Sequence, residues 1–156
     1  MAHKTPAEIA NEIRKAVKEE VGLTVSIGVS FNKIFAKLGS DMKKPDAVTE
    51  ITEASFKEQI WPLPASELLY VGRATTERLR CYGIHTIGDL ALLDPALISL
   101  HLKSHGRMLW EYANGIDDSP VCSIPAAAKG VGNSTTLSKD VTTEQEAALI
   151  LHSLAE

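Results

Sequence analysis

The sequence predicts an α+β protein that is mainly α. A helix signature opens the chain, an alternating strand follows it, and several further helix signatures occupy the region up to residue 113. The composition, 44% hydrophobic and 23% charged over 156 residues, is that of one globular domain with a real core. We expect a helix-strand-helix unit, then a helical part with a helix-hairpin-helix, then a partial β/α segment.

Charge and hydropathy exclude several classes of protein. The formal net charge is -4, which argues against a general nucleic-acid coat, but two local segments are basic. Residues 31–46 carry four lysines against two aspartates, and residues 71–85 carry three arginines against one glutamate. No apolar run approaches the roughly 20 residues of a membrane helix. We therefore expect a cytoplasmic protein that does not enter a membrane.

The first 30 residues predict a helix and then a strand. Thr5 and Glu8 form a capping box with Pro6 at the first helical position, and Gly22 ends the helix. Apolar residues then alternate with small or polar ones over residues 23–30, which is the period of a strand with one apolar face.

A second helix is predicted over residues 31–42, capped by Ser30. Its apolar residues cluster on one side, while Lys33 and Lys37 lie on the opposite side. Lys44 continues that ridge, although Pro45 disfavours helical geometry for it. Taken alone, such a face is more often simply solvated than functional.

A tight turn at residues 71–73 precedes a helix of about residues 74–82, which Gly83 closes. A glycine turn before a helix directs unpaired N–H groups outward at the positive end of the helix dipole. With Arg73, Arg78 and Arg80 nearby, this arrangement suits a nucleic-acid backbone. A simple packing corner is the alternative. Thr86 and Asp89 make a capping-box-like start for a further helix, and more helices are predicted after Asp94, over residues 106–115 and from residue 142 onward.

Metal ligands are not expected. His101 and His105 are four residues apart, but no glutamate lies between them and no third ligand is evident. The two cysteines, Cys81 and Cys122, lack metal-ligand spacing and are too few to staple a fold.

Three segments, taken in order, carry a resemblance: "SIGVSFNKIFAKLGSDMKKPD", "YVGRATTERLRCYGIHTIGDLA" and "KGVGNSTT". They resemble the Y-family (DinB/UmuC-like) translesion DNA polymerases, DNA-directed polymerases (nucleotidyltransferases) that copy past damaged DNA in repair. The pattern S-x-N-K-x-x-A-K-x-x-S-D-M-x-K-P is the most specific part. The resemblance implies that residues 1–51 end the palm, residues 52–115 form the thumb, residues 116–128 are a linker, and residues 129–156 begin a truncated little-finger domain.

The resemblance also implies roles for residues. Lys44 corresponds to a lysine that contacts the triphosphate of the incoming nucleotide. The remaining residues implied to contact DNA or substrate phosphates are Lys33, Lys37, Val71, Gly72, Arg73, Ala74, Thr75 and Lys129. The hairpin would act through its backbone amides, and Lys129 would begin a strand along the DNA.

Two departures from the family matter. The family hairpin reads Pro-Gly-x-Gly where this chain has Leu69, Tyr70, Val71 and Gly72, so one of the two glycines is replaced and a hairpin cation is not assigned. The catalytic carboxylates of the family would lie upstream of Met1. We therefore assign no catalytic or metal-binding residue, expect Mg²⁺ only in an intact parent enzyme, and expect this chain alone to be inactive.

The expected partner is primer-template DNA, with a sliding clamp possible for the parent. A strand at 23–30 without its palm neighbours is expected to pair with residues 130–138 or with a second copy, giving a homodimer. Two alternatives stay open: a non-enzymatic helix-hairpin-helix DNA-binding module, and the inert product of a truncated gene.

Overall fold

The computed structural model describes residues 4–122 and 130–155. These fall into two compact units, the first ending at Pro120 and the second beginning at Val121. The first unit is mainly helical with one two-stranded sheet, as the sequence predicts. None of the described helices is both long and apolar enough to span a membrane.

The N-terminal helix begins as predicted. Helix α1 (Pro6–Ala16) has the capping box, in which the Thr5 hydroxyl accepts from the Glu8 N–H and the Glu8 carboxylate accepts from the Thr5 N–H. The chain continues as a π-helical turn (Val17–Val21) that ends at Gly22 with φ +72°. Ile9 and Ile13, which recur at four-residue spacing on this helix, are 46% and 51% exposed, and Ala10 is buried instead.

The strand is shorter than predicted, and it is paired. Strand β1 (Ile27–Ser30) forms a parallel pair with strand β2 (Val48–Ile51), with Ile27 opposite Val48 and Ser30 opposite Ile51. The partner of this strand is therefore β2, and not residues 130–138 as predicted from the sequence. Among the described residues 130–138 no strand forms, and the homodimer loses the basis on which it was predicted.

Helix α2 (Lys33–Met42) connects the two strands. Its N-cap is Asn32 rather than the predicted Ser30, because the Asn32 side chain accepts from the Phe35 N–H at 2.8 Å. The same side chain donates to the Gly115 carbonyl at 2.8 Å, which fixes the start of α2 against the end of the helical region.

The strands and the helices share one hydrophobic core. Helix α3 (Phe56–Ile60), a 3₁₀ turn (Ala65–Glu67), α4 (Arg73–Cys81), α5 (Ile87–Ala91) and α6 (Pro95–Ala113) pack with α2 and β2. Residues from both sides of the predicted palm–thumb boundary contribute to this core, and the domain division stays a prediction. The largest fully buried side chains are Phe35, Ile51, Ile60, Leu68, Leu79, Ile87, Leu90 and Leu109.

Helix α6 is interrupted at Lys103, whose φ of 54° and ψ of -140° are not helical. The two predicted helices therefore meet end to end, and His101 and His105 lie on different sides of the interruption. His101 stacks on Tyr82 with ring centroids 4.2 Å apart. No group of three or more potential metal-ligating side chains exists among the described residues.

The second unit contains helix α7 (Glu144–Ala155), as predicted. The part of the predicted linker within residues 116–122, and residues 130–136, have no helix or strand, so the predicted strand-like stretch is not a strand where it is described.

Gly28 is required by the contact between β1 and α2. A Cβ at this position would lie 1.8 Å from the Ala36 carbonyl oxygen, which belongs to the helix backbone and cannot move aside. We expect Gly28→Ala to lower the free energy of unfolding by about 1–3 kcal/mol or more, because inserted atoms force the backbone apart.

Gly39→Ala is the matched control, since its Cβ would meet the Ile51 Cδ1, the end of a flexible side chain, at 3.0 Å and backbone atoms no closer than an ordinary contact of 3.4 Å. Urea denaturation of both variants measures the difference. Equal losses would contradict a contact that admits only glycine.

Candidate functional site

Lys37 and Lys44, here called the lysine pair, converge on one carboxylate at the end of α2. The Lys37 Nζ lies 2.5 Å from one oxygen of Asp41, and the Lys44 Nζ lies 2.6 Å from the other oxygen. Lys37 is one helical turn before Asp41, and Lys44 follows the helix end. All three side chains are exposed, so an external anion has access to both amines.

The lysine pair borders a cleft of about 390 Å³ between the chain entering β1 and the loop after α2. The lining residues are Thr24, Val25, Ser26, Lys37, Ser40, Asp41, Lys44, Pro45 and Asp46. The Ser26 hydroxyl donates to the Lys43 carbonyl at 3.1 Å, which joins the two walls.

Asp46 anchors the loop that carries Lys44. Its carboxylate contacts the Arg14 guanidinium and the Lys18 amine, each at 2.6 Å, and so ties the loop to α1 and its π-helical extension. Asp46 adopts φ 58°, a left-handed conformation that aspartate tolerates better than most residues. The loop is therefore held from both ends, by α2 and by this ion pair.

The ion pairs lower the pKa of both aspartates. Hydrogen bonds from Lys37 and Lys44 lower the pKa of Asp41, and hydrogen bonds from Lys18 and Arg14 lower the pKa of Asp46. Both carboxylates stay ionised at neutral pH, so the positive charge that the sequence concentrates over residues 31–46 is partly neutralised inside the protein.

Lys33 does not join the lysine pair. It lies at the first position of α2, and its amine donates a hydrogen bond to the carbonyl of Pro120. Lys129 lies outside the described residues.

The hairpin, defined as residues 69–73, keeps the backbone form of a glycine-rich turn although it has one glycine. Tyr70 takes the left-handed φ of 70° at the position where the family has glycine, and its side chain is 60% exposed. Val71 is buried and anchors the turn in the core. Gly72 is the N-cap of α4 and, having no side chain, leaves the first-turn N–H groups uncapped.

Arg73 is the arginine of α4 that lies at this turn. Arg78 and Arg80 are also exposed, but they lie in the last turn of α4, away from the hairpin. Arg73 is exposed and makes a salt bridge at 3.2 Å with Glu77 one turn along the helix. The uncapped N–H groups and the helix dipole favour an anion at the same end. Of the residues implied to contact DNA here, Val71 and Gly72 lie in the hairpin, and Arg73, Ala74 and Thr75 form the first turn of α4.

The described carboxylates do not fit a two-magnesium centre. Asp41 and Asp46 each accept from two cationic side chains, and the described residues contain no third carboxylate grouped with them. A Mg²⁺ ion needs oxygen ligands that are not already neutralised by lysine or arginine.

Similar proteins of known name support the same resemblance as the sequence motifs. The sequence profile of the impB/mucB/samB family matches residues 1–41. The chain is 51% identical over 153 residues to DNA polymerase IV of Acetivibrio thermocellus, and 40% identical over 149 residues to DNA polymerase IV of Clostridium acetobutylicum. Each match covers 96% of this chain and 38% of the relative. These matches support a fragment of a Y-family DNA polymerase.

The similarity extends to DNA polymerase IV 1 of Bacillus subtilis, which is 41% identical over 149 residues, or 95% of this chain and 36% of the relative. The chain thus spans well under half the length of these Y-family relatives.

Two features of the site were not predicted from the sequence. The role of Asp41 could have been found, because its spacing of four residues from Lys37 and three from Lys44 is that of helical ion pairs. The anchoring of Asp46 to Arg14 could not, because 32 residues separate the partners and only the folded chain brings them together.

The ion pairs of Asp46 predict a pH dependence. A carboxyl group whose pKa is lowered on folding stabilises the protein above its unfolded pKa, and that contribution is lost as the pH falls through the folded value. We expect Asp46→Asn to melt at a lower temperature than the unsubstituted protein at pH 7. The gap should shrink below about pH 4, where aspartates in the unfolded chain become protonated. Melting curves recorded between pH 7 and pH 2.5 test this; a gap that stays constant over that range would contradict it.

The backbone of Tyr70 predicts an unusual response to glycine. Left-handed geometry costs a non-glycine residue about 1–2 kcal/mol, and glycine removes that cost. Tyr82 is a suitable control, because it too is half exposed with one aromatic neighbour, but its φ is -99°. We expect Tyr70→Gly to be less destabilising than Tyr82→Gly by roughly 1 kcal/mol. Chemical denaturation of both variants measures this difference, and equal destabilisation would show that Tyr70 carries no strain.

Proposed function

We propose that this chain is the segment of a translesion DNA polymerase that contacts the DNA backbone and the triphosphate of the incoming nucleotide, in DNA repair in the cytoplasm. The observation that carries the proposal is the convergence of the motif residues Lys37 and Lys44 on one exposed cleft. The two amines already contact the two oxygens of one carboxylate, so their spacing also suits two oxygens of a phosphate. A solvated helix face would not require Lys44, which lies beyond the helix, to meet Lys37.

The hairpin supplies the DNA contact in this proposal. Backbone N–H groups at a helix N-terminus hold a phosphate without reading bases, which suits an enzyme that must accept any sequence. Burial of Val71 fixes the turn, and Tyr70, at the position that the resemblance assigns to glycine, takes a left-handed φ that glycine adopts readily. The first arginine of α4 is almost fully exposed beside these N–H groups.

The proposal places catalysis outside the described residues. Phosphoryl transfer in such a polymerase requires carboxylates that hold two Mg²⁺ ions, and the aspartates of this cleft are committed to lysine and arginine. In our proposal this chain binds and positions the DNA backbone and the triphosphate, while the parent enzyme supplies the metal ligands. Residues 116–128 act as the linker to the little-finger domain, and a sliding clamp is a partner of the parent.

DNA binding tests the role of the hairpin. We expect the chain to bind primer-template DNA with a dissociation constant on the order of 10⁻⁴ to 10⁻⁶ M, independent of sequence and weaker as salt rises. Arg73→Glu should weaken binding at least about fivefold, because it places a negative charge beside the uncapped N–H groups.

Arg107→Glu is the matched control. Both arginines are exposed and both make an i,i+4 salt bridge on a helix, Arg73 with Glu77 at 3.2 Å and Arg107 with Glu111 at 3.0 Å. Fluorescence anisotropy with a labelled primer-template at several salt concentrations measures both. Equal weakening would indicate bulk charge and contradict a hairpin site, and a salt-insensitive affinity would contradict a phosphate contact.

A further inference from the structure

We propose that Asp41 is an intramolecular competitor for the phosphate site formed by the lysine pair: its carboxylate occupies the two amines in the free protein, and a triphosphate must displace it. The inference rests on the proposed function of Lys44 and adds to it a residue to which no role is assigned. The geometry that points to it is the bidentate arrangement, with each Asp41 oxygen on a different lysine.

The carboxylate resembles a bound phosphate in the features that matter to the amines. It presents two anionic oxygens, one to Lys37 at 2.5 Å and one to Lys44 at 2.6 Å, the distances of strong charge-assisted hydrogen bonds. An anion with two oxygens at similar spacing can therefore replace it without a change in the position of either lysine. In the absence of that anion, Asp41 holds both side chains pointing at the place where the phosphate would bind.

Displacement is favoured by exposure and by charge. Ion pairs between exposed side chains contribute little to stability, so breaking the two contacts of Asp41 costs little. A terminal phosphate group carries about one and a half to two negative charges at neutral pH, whereas the carboxylate carries one. A weakly charged anion gains too little to compete, so Asp41 favours polyphosphates over simple anions.

The neighbouring Asp46 has a different role. It lines the same cleft, but its carboxylate is held by Arg14 and Lys18, which connect the loop to α1. Removing its charge loosens the loop and leaves the lysine pair still occupied by Asp41. The two aspartates thus form a matched pair of equal charge in one cleft, of which only Asp41 blocks the phosphate site.

The test is the affinity of the full chain for inorganic tripolyphosphate at fixed ionic strength, measured by isothermal titration calorimetry. We expect Asp41→Asn to bind about three- to tenfold more tightly than the unsubstituted protein, because the competitor is gone. Asp41→Glu, which keeps a carboxylate, should show a smaller gain, and Asp46→Asn should gain less than half as much as Asp41→Asn. Thermal melting confirms that each variant is folded.

The outcomes separate this inference from the function on which it rests. If Lys44→Ala weakens tripolyphosphate binding but Asp41→Asn does not strengthen it, the phosphate site stands and the competitor role is wrong. An equal gain for Asp41→Asn and Asp46→Asn also overturns it, since bulk charge would then explain both. If Lys44→Ala leaves binding unchanged, the proposed triphosphate contact fails and the competitor role fails with it.

Discussion

The close approach of β1 to α2 at Gly28 is the constraint on which the site depends. With only a hydrogen on its Cα, Gly28 lets the strand lie against the helix backbone at Ala36, closer than any side chain would allow. The same helix then turns Phe35 and Leu38 into the core and leaves Lys37 on the outside. Because the loop after α2 returns at once to β2 beside β1, Lys44 is brought back to the end of the helix, where Asp41 meets it.

The sequence predicts well the features that are encoded over a few residues. The capping boxes at Thr5 and Thr86, the glycines that end helices, and the polar face of α2 all depend on neighbours within one or two turns, and all are present. The predictions that failed concern features that depend on contacts between residues distant in the sequence. Strand β2 has only four residues and a weak apolar pattern, so the sequence does not reveal its pairing with β1 and suggests residues 130–138 or a second copy as the partner instead.

The N-cap of α2 shows why local rules alone do not decide. Ser30 and Asn32 are both good N-cap residues, and the sequence gives no reason to prefer the second. Tertiary structure decides, because Asn32 caps the helix with its oxygen while its nitrogen donates to the Gly115 carbonyl. Ser30 stays in β1, where its hydroxyl donates to the Ile51 carbonyl at 2.9 Å. Similarly, periodicity places Ile9 and Ile13 on one face of α1, but it does not reveal whether another element covers that face. In the structure both side chains are exposed.

The ion pairs also change how the basic segments should be interpreted. The number of lysines and arginines suggests positive patches that are open to anions. In the structure these cations are paired with carboxylates. The pairs are Lys37 and Lys44 with Asp41, Arg14 and Lys18 with Asp46, and Arg73 with Glu77. Since each carboxylate competes with a phosphate for its cation, the free protein attracts anions less than its lysine and arginine count implies. Ligands that present several charges in the right geometry lose least to this competition. An acidic protein can in this way contact phosphates at chosen points without adsorbing to every polyanion it meets.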